Sequence, residues 1–203
     1  MKRYEKALFF IAGHRRGWVF SSSDLTGIFT RREADDCLKY LAKIGKIRRL
    51  CRGLYDYPKY SDLLKQVLSP DIDQVARAFA RKFNWRIEIS GDTALNVLGL
   101  STQVVAKYIY LSDGPSRTYN IFGTTLEFKK SALKEIGFNH KESSLIVQAL
   151  KALGKDRINS KIISKIREKI DPKKYNKILT ETRSTKIWIY EAIKKICSED
   201  SDV

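Results

Sequence analysis

Between Thr30 and Pro58 the hydrophobic period changes once, and sharply. In Thr30–Gly45, TRREADDCLKYLAKIG, the residues Ala34, Leu38, Leu41 and Ile44 recur at the helical spacing. Thr30 is a good N-cap, and Gly45 stands where a helix C′ residue would. In the next stretch, GKIRRLCRGLYDYP, Ile47, Leu50 and Leu54-Tyr55 give a strand–turn–strand with Gly53 near the bend. A basic helix followed at once by a basic hairpin leaves few folds open.

The residues before it narrow the choice further. Lys2 to Gly13 reads as a helix through Tyr4, Leu8 and Ile11. Trp18-Val19-Phe20 is a short apolar strand, and Ser21-Ser22-Ser23-Asp24 offers N-caps for a short helix through Ile28. Helix, strand, helix, helix and basic hairpin is the order of a winged helix-turn-helix. In that fold the third helix enters the major groove and the hairpin lies along the backbone or a minor groove.

A second unit starts near Ser61. Ser69-Pro70 reads as a helix start, followed by Val75, Phe79 and Phe83 on one face. Arg86–Ile89 alternates as a strand, and Thr93–Leu98 is a short helix closed by Gly99. Val104–Leu111 is a strand, and a hairpin follows around Gly123. From Lys134 the pattern is helical: Glu142–Leu153, Ser160–Ile170, Pro172–Leu179 and Arg183–Cys197, then an acidic tail that reads as frayed. The expected fold class is α+β. Residues 1–60 form the winged domain, and residues 61–203 form a mixed α/β domain, helical from about 134.

The net charge is +16, which points to a polyanionic partner. The excess is uneven. Residues 1–60 hold fourteen Lys/Arg against six Asp/Glu, residues 61–130 nine against seven, and residues 131–203 sixteen against ten. The candidate contacts follow from the fold. Thr30, Arg31 and Arg32 open the third helix, where an arginine can pair bidentately with guanine or clamp a phosphate. Lys39, two turns further on, can reach the backbone. Arg48, Arg49 and Arg52 lie on the hairpin; alternation puts Arg48 and Arg49 on opposite faces, and Arg52 sits nearest the tip. The competing explanation is a solvated basic hairpin, or arginines that pair with nearby acids.

Other chemistry is thinner. Asp113, Glu127 and Lys129 have the residue types of a Mg²⁺-dependent restriction-like nuclease, but Asp113 sits in a turn composition and Glu127 and Lys129 alternate as a solvent-facing edge would. A nuclease using these three is the alternative function. A basic protein associated with RNA or the ribosome is a third. Cys37, Cys51 and Cys197 are scattered, with only His14 and His140 to join them, so neither a metal site nor a disulfide framework is expected. No Walker A, GxGxxG or GxSxG sequence occurs. No cofactor and no catalytic activity is expected. The lysines Lys161, Lys165, Lys169, Lys173, Lys174 and Lys177 read as a solvated face or a second polyanion surface. With no membrane-length apolar run and no signal-peptide pattern, a cytoplasmic location is expected.

RGWVFSSSDL, the following helix and GKIRRLCRGLYDYP together resemble the N-terminal winged domain of the AbiEi-type antitoxins. SGDTALNVLGLSTQVVAKYIYLSDGPSRTYNIFGTTLEFKK resembles the core that follows it in one branch of that family. The resemblance covers roughly residues 1 to 150, and the long middle string is its more specific part. It implies the antitoxin of a bacterial abortive-infection system, paired with a nucleotidyltransferase-like toxin. Such an antitoxin represses its own promoter by binding repeated sites in double-stranded DNA, and its C-terminal domain serves neutralisation, without need of a stable toxin complex. The recognition helix would fall at Thr30–Lys43 and the wing at Ile47–Tyr57. The resemblance supplies no catalytic residue.

Overall fold

A computed structural model describes residues 2–101, 107–131 and 138–198. The fold is mixed α and β. The first elements are α1 (Arg3–Gly13), β1 (Val19–Phe20), a 3₁₀ turn (Ser22–Leu25), α2 (Arg31–Lys43), β2 (Arg48–Cys51) and β3 (Leu54–Asp56). The three strands form an antiparallel sheet in the order β1-β3-β2. This order and this sheet are compatible with a winged helix-turn-helix.

Each element has a local cause. Thr30 and Glu33 form a capping box at the start of α2: the Thr30 amide donates to Glu33 Oε2 at 3.0 Å, and the Glu33 amide donates to Thr30 Oγ1 at 3.4 Å. Gly45, at φ +70°, turns the chain out of the helix. Gly53, at φ +73°, makes the β2–β3 turn, and a bulge between Arg49 and Cys51 re-aims the end of β2. The second helix of the motif is shorter than the run to Ile28 suggests. It is a single 3₁₀ turn, capped by Ser21 through its amide to Asp24 Oδ2 at 2.8 Å. Ala7, Ile11, Phe20, Leu25, Ala34, Leu38, Leu41, Ile47 and Tyr55 close a continuous apolar core beneath α1, α2 and the sheet.

A small hairpin, β4 (Tyr60–Ser61) with β5 (Gln66–Val67), follows; two residues a side gave no periodic signal in the sequence. Next is α3 (Ile72–Phe83). Asp71, not Ser69, caps it, accepting from the amides of Asp73 and Gln74, so Pro70 lies outside the helix. The remaining strands are β6 (Ile87–Ile89), β7 (Lys107–Ser112), β8 (Arg117–Ile121) and β9 (Thr124–Lys130), in a sheet of order β6-β7-β9-β8. Residues 104–106 of the expected strand lie outside the described residues. Phe122 and Gly123, both at positive φ (+49° and +86°), make a two-residue turn between β8 and β9. The remaining helices are α4 (Gly91–Val97), α5 (Lys141–Leu153), α6 (Ser160–Lys169), α7 (Tyr175–Thr182) and α8 (Ile187–Cys197). The C-terminal stretch is helical as expected, though residues 134–137 and 199–203 lie outside the described residues. Pro172–Lys174 is a 3₁₀ turn before α7, and α8 starts four residues later than expected.

The chain divides into two compact units. The first unit is Met1–Ile87 with Thr118–Leu126, and the second is Glu88–Arg117 with Glu127–Val203. The reason is α3. Its Arg81 Nε donates to Asp24 Oδ1 at 2.7 Å, and its Nη2 donates to the Val19 carbonyl at 2.7 Å, so the helix is fastened to the 3₁₀ turn and β1. Phe79 stacks on Tyr119 at 4.0 Å between centroids, which draws the β8–β9 turn into the same unit. In the second unit α4 lies tight against α5: a Cβ at Gly91 would stand 2.7 Å from that of Ala152. Ile146, Leu150, Ile166, Ile178, Ile189 and Ile193 supply this unit's helical core.

Candidate nucleic-acid interface

On α2 the exposed residues Arg32, Asp36, Lys39 and Lys43 fall at i, i+4, i+7 and i+11, which is one stripe of the helix. Ala34, Cys37, Leu38 and Leu41 are buried on the opposite side. Asp36 pairs with Lys39 at 3.6 Å, both well exposed, so the acid offsets part of that lysine's charge. Arg31, at the first helical position, and Arg32 beside it have no carboxylate partner among the described residues.

The seven candidate residues do not share one role. Thr30 is committed to its cap, with its hydroxyl donating to Glu33 Oε2 at 2.9 Å. These bonds, led by the one from the hydroxyl, lower the Glu33 pKa, and Arg3 stands 3.4 Å from the same carboxylate. Arg48 is committed too. Its Nε and Nη2 grip Asp56 Oδ1 and Oδ2 at 3.0 and 2.5 Å, and Asp56 is buried. The Arg48 guanidinium also lies 5.2 Å from the Phe122 ring centroid. Its partner is therefore an acid of its own hairpin, not of α2. Arg49 is exposed and, among the described residues, donates only to the Cys51 carbonyl, at 3.4 Å. Arg52 is exposed at the turn, with no carboxylate partner among the described residues.

Periodicity and composition did not reveal Lys82. This α3 residue sends its ammonium to the β2–β3 turn, where Nζ donates to the Arg52 carbonyl at 3.2 Å and to the Gly53 carbonyl at 3.3 Å. Its pKa is lowered, first by burial and further by the positive charges of Arg31 and Arg52, while Cys51 and Asp35 act in the opposite sense. The end of α3 is thus bonded to the hairpin turn. Burial pushes the Cys51 thiol up, against the pull of Lys82 and Arg49. The only sequence trace of Lys82 is its place one residue before the helix end, beside Phe83.

The nuclease residues are placed differently. Glu127 is held by Lys107, Nζ to Oε2 at 2.5 Å, and Asp113 lies in the bend after β7. Among the described residues no three His, Cys, Asp or Glu side chains gather as a metal site. The thiols of Cys37 and Cys197 are buried, and burial pushes Cys197 up to about 11. No helix among the described residues is long and apolar enough to cross a membrane.

The profile of a family of unknown function, DUF6088, matches residues 8–178, and the chain belongs to that family. No curated protein matches the sequence.

Proposed function

We propose that this DUF6088 member is a DNA-binding transcriptional repressor, and that it serves as the antitoxin of a bacterial abortive-infection system, regulating its own promoter from the cytoplasm. One observation carries the DNA-binding part. Arginines without a carboxylate partner among the described residues open α2 and stand on the β2–β3 turn, which a lysine of a third element holds by two bonds, within a unit whose element order is compatible with a winged helix-turn-helix. Cations left without carboxylates are what a phosphate backbone neutralises. The antitoxin part rests on the resemblance of residues 1 to 150 to the AbiEi-type proteins, and a nucleotidyltransferase-like toxin would be its functional partner.

In this reading α2 is the recognition helix and the β2–β3 hairpin is the wing. Arg32 faces the groove, Lys39, Arg49 and Arg52 contact phosphates, and Arg48 holds the wing together. Phosphate contacts set the register, and base-edge contacts set the preference. The test is fluorescence anisotropy with the duplex upstream of the gene against a scrambled duplex, for the wild type and two variants. Arg32→Ala should narrow the preference for the cognate duplex, and Arg52→Ala should weaken both duplexes alike. Equal losses on both duplexes for Arg32→Ala would remove its groove-reading role. No difference between the duplexes for the wild type would remove the repressor reading.

A further inference from the structure

We propose that Arg31, Lys82 and Arg52 form one phosphate clamp, in which Lys82 both pins the wing turn and donates to a backbone phosphodiester of bound DNA. The proposal rests on the DNA-binding reading above and adds an element to it, because Lys82 lies outside the helix, strand and hairpin of a winged motif.

The geometry carries it in three steps. First, the wing tip is held from behind. Lys82 Nζ reaches two consecutive carbonyls of the turn, those of Arg52 and Gly53. The fit is close: a Cβ at Gly53 would stand 2.6 Å from Nζ, and the φ of +73° already disfavours a side chain there. Second, an ammonium has three N–H groups. Two are used on the carbonyls, so one is left to donate. Third, the charges around it do not cancel. Arg31 and Arg52 have no carboxylate partner among the described residues, and both act on the lysine as neighbouring positive charges, opposed by Asp35 and Cys51.

Such a cluster is strained when empty, because like charges repel and the lysine is partly desolvated. A phosphodiester removes both penalties. It accepts from the remaining lysine N–H and from either guanidinium in the forked geometry that arginine favours. The DNA backbone is the source the surroundings favour, because Arg32 lies beside Arg31 on α2 and Arg49 beside the turn, so further cations continue the track in both directions.

The experiment uses the full chain and three substitutions, Lys82→Gln, Lys82→Arg and Lys82→Met, and it measures affinity for the cognate and scrambled duplexes across a salt series. Lys82→Gln can still donate to the two carbonyls but carries no charge. Lys82→Arg keeps the charge. With Lys82→Gln, affinity should fall about tenfold on both duplexes, and the slope of log K against log salt should become shallower by about 1. Lys82→Arg should keep the wild-type slope. Hydrogen exchange at the Gly53 and Leu54 amides gives the second readout: it should stay near wild type in Lys82→Gln and speed up in Lys82→Met. A wild-type slope in both Lys82→Gln and Lys82→Met overturns the clamp while leaving the repressor reading in place. A wild type that binds no duplex overturns the repressor reading, and the clamp with it.

Discussion

Asp56 decides what the arginines of the hairpin can do. It is buried, and its carboxylate takes two bonds from Arg48 in a fork. A charge in that position stays only because it is paired. Arg48 is thereby withdrawn from any partner outside the hairpin, while Arg49, next in the chain and opposite Tyr55 in the register, stays exposed. Asp56→Ala leaves a half-buried guanidinium without its partner. Breaking a buried pair costs about 3 kcal/mol, and the remaining exposure of Arg48 should bring this nearer to about 2. Thermal denaturation should show the transition of the first unit lowered by several degrees. The double substitution Arg48→Met with Asp56→Leu should recover most of the loss, because it removes the charge left behind. If Asp56→Ala melts with the wild type, the fork is not what holds the hairpin.

At the scale of elements, α3 is the piece that ties itself to the elements before residue 60. Alone, a 60-residue winged domain is marginal, since a chain that short buries only about 60% of the surface it exposes unfolded. Here α3 adds Val75 and Phe79 as buried residues and returns Arg81 to the 3₁₀ turn and β1. A fragment ending at residue 60 should therefore melt at lower temperature and with less cooperativity than one ending at residue 87. Equal melting of the two would return the boundary to residue 60. What could be read in advance was local. Thr30 as an N-cap and Gly53 near the bend are local signals, and both predicted their elements. The allegiance of α3 was not legible, because the bonds that fix it join residues 29 to 62 positions apart. Period and composition describe a face and leave its partner open. The same limit applies to the candidate site. Arg48 and Arg52 are the same residue type four positions apart, and only the buried acid facing one of them separates a tie within the hairpin from a free cation.

At the scale of the whole molecule, the question is which part of the +16 a nucleic acid would neutralise. The charge is concentrated at both ends of the chain, yet the two ends carry it differently. In the winged unit the cations alternate with turns and caps and gather at α2 and the wing. In the second unit Lys161, Lys165 and Lys169 run along α6 at intervals of four, exposed, on a helix whose buried side is Ile166. That is the pattern of a solvated amphipathic face, in which lysines keep their heads in water. If the winged unit makes the contacts and neutralises about six phosphates, log K should fall with log salt at a slope of about −5. Replacing Arg31, Arg49 and Arg52 together by Gln should make that slope shallower by about 3. Replacing Lys161, Lys165 and Lys169 by Gln removes as many charges, and it should change the slope by less than about 1 if only short-range phosphate neutralisation counts. A large change from the α6 set would make the helical end a second binding surface, and the DNA would then be held by both units. Equal changes from the two sets would mean that total charge, and not the arrangement on α2 and the wing, governs binding.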